Sequence, residues 1–151
     1  MKIVIILAFV FLIPIKGQSQ DLLNKNKEFI NTYTKKQNAN LVFDKIITGI
    51  GDKPFRSLVY SFNKIQKEEK GIYQMTFDLQ DDKCFRYFIA YKSNNYKAPL
   101  IKKFNAPNSG LKREKGESIW KNDIEKFEVR IADTRRGNVQ AAMFMLVISK
   151  R

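Results

Sequence analysis

The stretch Val139 to Ser149, Val-Gln-Ala-Ala-Met-Phe-Met-Leu-Val-Ile-Ser, is the most apolar run outside the first twenty residues. It is too short to cross a bilayer, which takes about 20 residues of helix. It also has too few polar positions for a strand with one wet face. A strand in the interior of a sheet, covered on both faces, is therefore expected here, with the rest of the chain organised around it.

The N-terminus sets the expected compartment. Met1 and Lys2 form a short positive region, Ile3 to Ile15 an apolar core interrupted by Pro14, and Gly17 and Ser19 supply small residues before a cleavage at Gln20. Residues 1–19 thus read as a signal peptide, and secretion or a periplasmic location follows. No other stretch has the length and hydropathy of a membrane span. Residues 20–151, about 130 residues, suit a single domain. Cys84 is the only cysteine, so no intrachain disulfide forms, and in an apolar strand it reads as a small buried hydrophobe.

The formal net charge is +13, and losing Lys2 and Lys16 lowers it to +11. There is no histidine, which removes the usual general base, zinc ligand and pH switch together.

Along the chain, Asp21 caps an expected amphipathic helix running to Lys36, with Leu22, Asn26, Phe29, Ile30 and Tyr33 on its inner side. Phe43, Ile46, Ile47 and Ile50 follow helical spacing and predict a second helix ended by Gly49 and Gly51. Asp52 and Pro54 open a third through Phe55, Leu58, Val59, Phe62 and Ile65, although Leu58, Tyr60 and Phe62 also alternate as a strand would. From Gly71 the period is two. Tyr73, Met75, Phe77 and Leu79 share one face, Asp81-Asp82-Lys83 turns, and Cys84–Tyr91 returns with Phe85, Tyr87, Ile89 and Tyr91 inward. Lys92 to Ser118 reads as a long connection with Leu100, Ile101 and Phe104 as anchors. Phe127 to Ala132 is a strand, and Asp133–Asn138 a hairpin loop into the last one.

Helices first and strands afterwards predict an α+β domain: N-terminal helices packed on one face of a roughly four-stranded antiparallel β-sheet. In the last strand, Met143, Met145 and Val147 would meet the helices. Ala142, Phe144, Leu146 and Ile148 would then need another cover, from the long connection, an apolar ligand or a homodimer partner.

One charge anomaly stands out. Lys83, Arg86, Lys92, Lys97, Lys102, Lys103, Lys112 and Arg113 occur without an intervening Asp or Glu, and aromatics lie among them. Lys92, Tyr96, Lys97, Lys102, Lys103, Phe104, Lys112 and Arg113 are accordingly the candidate ligand-binding residues, against the alternative of a solvated lysine-rich loop. An anionic glycan, lipid head group or acidic protein fits a secreted chain better than nucleic acid does. The expected function is a non-enzymatic binding or interaction protein. The alternatives are a small enzyme of helix-plus-curved-sheet type, using carboxylates and tyrosines such as Asp44, Tyr60 and Asp78 in an apolar pocket, and a dimeric structural or inhibitory protein. The sequence contains no catalytic signature, cofactor motif or metal-ligand spacing.

Overall fold

A computed structural model describes residues 22–48, 53–62, 71–115, 117–133 and 144–151. The expected signal segment, the Asp21 cap, the Gly49–Gly51 turn with the Asp52 cap, Ile65, positions 134–138 of the last hairpin loop and the Val139–Met143 part of the expected last strand lie outside the described residues. The chain first lays down a strap, Leu22–Asn26, tied to the sheet by the Asn24 N–H donating to the Cys84 carbonyl (2.7 Å) and the Cys84 N–H to the Lys25 carbonyl (2.9 Å). Helix α1 follows, Lys27–Lys36. Its cap is Asn26, whose side chain accepts from the Phe29 N–H at 2.9 Å. Ile30 and Thr34 are its buried residues, while Phe29, expected inward, is exposed.

Eight strands then form one antiparallel sheet: β1 (Ala39–Ile47), β2 (Phe55–Phe62), β3 (Ile72–Gln80), β4 (Lys83–Tyr91), β5 (Lys112–Arg113), β6 (Ile119–Asn122), β7 (Phe127–Asp133) and β8 (Phe144–Lys150). Their order is β1-β2-β3-β4-β8-β7-β6-β5. Two four-stranded meanders are thus joined where β4 meets β8. Between them the chain makes a 3-10 turn at Asn94–Tyr96 and helix α2, Lys97–Phe104.

The expectation of an α+β domain, with N-terminal helices on a roughly four-stranded sheet, is overturned. Among the described residues there are eight strands and only two short α-helices. The second and third expected helices are β1 and β2. Leu58, Tyr60 and Phe62 are buried and Val59 is not, the period-two reading of that stretch. In β1 the supposed helical stripe, Phe43, Ile46 and Ile47, is exposed and marks no core face. Short apolar runs rich in β-branched residues satisfy either period, and here the cross-strand ladder decides. The long connection is also more structured than expected, since α2 and β5 lie within it.

The core face is defined by one row across six strands: Leu58, Phe77, Tyr87, Ile148, Val129 and Trp120 are directly opposite one another in register, and none is more than 1% exposed. Both helices belong to this face. Ile30 of α1 and Phe104 of α2 join the same cluster, and Leu100 and Ile101 pack against it. The faces of β8 are consequently the reverse of those expected. Phe144, Leu146 and Ile148 are buried on the core face, while Met145 and Val147 are half-buried on the other. The connection does supply cover through Leu100, Ile101 and Phe104. Phe85 is likewise corrected: it is half-buried on the outer face, whereas Tyr87 is inward.

Burial leaves its mark on titration. Tyr91, stacked on Phe144 with ring centroids 4.7 Å apart, and Cys84 are both pushed up to about 12, chiefly by desolvation. The unfolded chain loses these protons near its ordinary values, so the folded state binds more protons above them. Stability is fully present below about pH 9 and falls as pH rises toward 12. A series of urea midpoints from pH 8 to 11 is expected to decline, and Cys84→Ala to begin its decline later than the parent.

Candidate functional site

The outer face carries a polar row through its centre. Ser57, Asp78, Arg86, Ser149, Glu128 and Lys121 are aligned across β2, β3, β4, β8, β7 and β6. The register shifts between Asp78 and Leu79, because Asp78 opposes Arg86 while Leu79 opposes Cys84. Phe85 is therefore an extra residue, and this bulge lets Phe85 and Arg86 share the outer face.

At the centre of the row the Asp78 carboxylate, 3% exposed, is fully engaged. Ser57 donates to Oδ1 at 2.9 Å, and Arg86 donates to Oδ2 from Nε at 2.9 Å and from Nη2 at 2.7 Å. The Arg86 guanidinium lies 5.1 Å from the Phe88 ring centroid, 5.5 Å from Phe85 and 5.8 Å from Phe55. Phe55 and Phe85 meet edge to face. The arginine is held by one carboxylate and three rings, yet 36% of its side chain reaches solvent. Asp78→Asn is expected to destabilise the protein by about 1–3 kcal/mol in urea unfolding, the range for breaking such a pair reduced for the solvent around Arg86. Asp78→Asn combined with Arg86→Met should recover part of that loss. A single variant with an unchanged midpoint would remove the pair from the energetics of the sheet.

The residues of the basic connection are distributed over three places. Lys92, after β4, lies over the Tyr73 ring at 5.1 Å. Tyr96 to Phe104 gather around α2, where Lys97 pairs with Asp133 at 2.7 Å and Lys102 is exposed. Lys112 and Arg113 form the edge strand β5; Lys112 reaches Asp123 at 3.6 Å, and Arg113 donates to the Glu117 carbonyl at 3.0 Å. Charges unopposed within the run thus meet acids from outside it at Arg86, Lys97 and Lys112. Tyr96 is half-buried and Phe104 buried, so both spend their rings largely on packing. Lys103 is different: its Nζ is shielded from solvent with no hydrogen-bond partner, and desolvation pulls its pKa down.

The acid–base candidates are tied down as well. Asp44 accepts from Lys27 at 2.7 Å and Arg56 at 2.6 Å, and these two cations hold it below the usual carboxylate range. The Tyr60 hydroxyl donates to Asn31 Oδ1, and burial raises its pKa. Two open hollows, about 190 and 430 Å³, flank the Asp81–Asp82 turn, one beside Ile46, Phe55 and Arg56 and the other beside Asn24, Lys25 and Phe29. Among the described residues no three Cys, Asp or Glu side chains are grouped to hold a metal ion, and no helix is long and apolar enough to cross a membrane.

Fold and surface together define an antiparallel single-sheet protein, helices on one face and a phenylalanine-flanked arginine on the other. Comparison with protein-family models, curated proteins and solved structures returns no match for the chain.

Sequence reasoning missed Arg86 as a site residue because a plain two-residue hairpin at Asp81-Asp82 would set Asp78 against Phe85. The bulge that moves the arginine into place has no signature in the residue types. The run Phe85-Arg86-Tyr87-Phe88 was the available signal.

Proposed function

We propose that the protein is a secreted or periplasmic, non-enzymatic binding protein that holds an acidic protein partner on the outer face of its sheet, around Arg86. The observation that carries the reading is the guanidinium flanked by three phenylalanine rings, with a third of its side chain in solvent. Arginine and aromatic residues are enriched where protein interfaces bind most strongly. The surrounding rows add Val59, Val147, Arg130 and Lys121 on the same face. The net charge of +11 that remains without Lys2 and Lys16 favours an acidic partner by long-range attraction. The compartment rests on residues 1–19. The ion pairs that occupy Asp44 and Asp78 support a binding role over acid–base catalysis.

The test measures binding of residues 20–151 to poly-glutamate, heparin and anionic liposomes over a salt series. Phe88→Ser with Arg130→Glu, two positions in one outer row, should weaken poly-glutamate binding about tenfold or more. Lys97→Gln with Lys102→Gln should leave it unchanged. Equal losses in both variants, or preference for heparin or liposomes, would move the site or change the partner's class.

Lys103 favours a second, more local reading, in which a small anion such as sulfate neutralises its ammonium beside α2. Sulfate would then stabilise the parent and leave Lys103→Met unmoved. Because desolvation disfavours the charged amine, the parent should gain stability relative to Lys103→Met as pH rises toward 10.5. Without anion the variant should be at least as stable as the parent.

A further inference from the structure

We infer, building on the outer-face reading above, that the acidic partner docks by a glutamate side chain whose carboxylate is gripped end-on by Nη1 and Nη2 of Arg86. A guanidinium carries five N–H donors in a rigid plane. Nε and Nη2 each give one of theirs to Asp78 Oδ2, at 2.9 and 2.7 Å, so Asp78 occupies the side-on edge. Among the described residues Nη1 makes no hydrogen bond, and the second Nη2 donor is likewise unused. One parallel pair of donors therefore remains along the Nη1–Nη2 edge, and the two oxygens of a carboxylate match its spacing. Asp78 is not free to swing round and fill it, since its other oxygen accepts from Ser57 at 2.9 Å and the residue is 3% exposed. The Asp78 edge is buried with its carboxylate, and 36% of the Arg86 side chain nonetheless reaches solvent.

The surroundings of the fork select glutamate among the anions a protein can offer. A phosphorylated side chain, with its near-double charge, calls for a second cation. The neighbours of Arg86 supply none: Asp78 and Ser149 oppose it in register, and Phe85 and Phe88 bracket it along β4. Asp78 already balances much of the guanidinium charge, and what remains suits a monoanion. A chain-terminal carboxylate brings its own main chain with it. Here β3, β4 and β8 are interior strands whose backbone groups serve a neighbour on each side, so the face offers side chains in place of a backbone ladder. A glutamate lays two methylenes beside the Phe55, Phe85 and Phe88 rings, whose centroids lie 5.8, 5.5 and 5.1 Å from the guanidinium, while its carboxylate reaches the fork. An aspartate lays down one. Glu128, in the same row two strands away, is no internal occupant, because it pairs with Arg130 at 3.5 Å.

The experiment titrates residues 20–151 calorimetrically, in about 0.15 M NaCl, with a hexaglutamate peptide blocked at both ends. Blocked hexa-aspartate, a charge-matched phosphoserine peptide and hexaglutamine with a free C-terminus are titrated beside it. Hexaglutamate should bind most tightly, about threefold over hexa-aspartate, the share of one methylene. Arg86→Lys keeps the charge and a donor for Asp78 but has no fork, and should weaken hexaglutamate about tenfold. Arg130→Lys should bind as the parent does. Arginine side-chain nitrogen spectra of the parent give a second reading that needs no variant: hexaglutamate should shift the Arg86 Nη signals and leave those of Arg56 and Arg113 in place. Binding that Arg86→Lys retains, or Arg86 Nη signals that stay in place while the peptide binds, would overturn the fork and leave the outer-face reading standing. Equal or tighter binding of any of the three comparison peptides would overturn the assignment to glutamate. A parent that binds none of the four would overturn both readings together.

Discussion

Gly71→Ala is expected to destabilise the fold by about 3 kcal/mol and to lower Tm by roughly 10 °C in a thermal melt followed by circular dichroism. Two separate effects combine. Gly71 sits at φ +62°, in the left-handed region where a Cβ crowds the carbonyl that follows. A Cβ built there would also lie 2.0 Å from the Tyr96 ring, well inside any real contact. That ring has little freedom to retreat, because Tyr96 packs on Tyr91, which stacks on Phe144 in the core. The Gly71 carbonyl meanwhile accepts from the Lys92 N–H at 3.0 Å, tying the entrance of β3 to the exit of β4. The cycle with Tyr96→Ala separates the parts. In that background Gly71→Ala should keep only the backbone share, about 1 kcal/mol. An identical cost in both backgrounds would show that Tyr96 does not press on the glycine.

Trp120→Ala is expected to have the larger effect, about 4 kcal/mol. The indole is 0% exposed at the centre of β6, on a strand only four residues long. Phe104 packs against it at 5.3 Å between centroids, and its Nε1–H donates to Asn105 Oδ1 at 2.8 Å. Removing it opens a cavity and detaches the end of α2 from the sheet together. Trp120→Phe should lose less than half as much, since a ring still fills most of the space and the main loss is the Asn105 hydrogen bond. Chemical denaturation of both variants tests this. A cost for Trp120→Ala below about 2 kcal/mol would mean that α2 owes its position to other contacts.

What the sequence made legible was the part with an unambiguous period. β3, the inward Tyr87 of β4, and β7 could be read because apolar and polar residues alternate through them between plain turns. β1 and β2 could not, because Phe43, Ile46 and Ile47 stand at the three- and four-residue spacing of a helix, and Leu58-Val59-Tyr60-Ser61-Phe62 contains apolar residues at both two- and four-residue spacing. Tertiary pairing alone resolves that ambiguity. β1 adds a second difficulty, since its large hydrophobic residues are exposed where burial would ordinarily be inferred from them. β5 and β6 together have six residues and lie in a stretch rich in Lys, Glu and Gly, too short to show any period. The charge run from Lys83 to Arg113 illustrates a related limit. Whether a lysine is unopposed depends on residues such as Asp123 and Asp133, which only the fold brings near.

The order of the strands bears on how the chain reaches this state. Six of the seven ladders among the described residues join strands that follow one another along the chain, and only β4 with β8 does not. Each meander can zip from local turns at small entropic cost, whereas the β4–β8 ladder must close a loop containing α2 and three strands. Docking of the two halves should therefore be the slow event in folding. Leu146→Ala, in the β4–β8 ladder, would retard refolding, whereas Leu58→Ala, in the first meander, would act mainly on unfolding. The row of fully buried residues that crosses this junction makes it the place where cooperativity of the whole sheet originates.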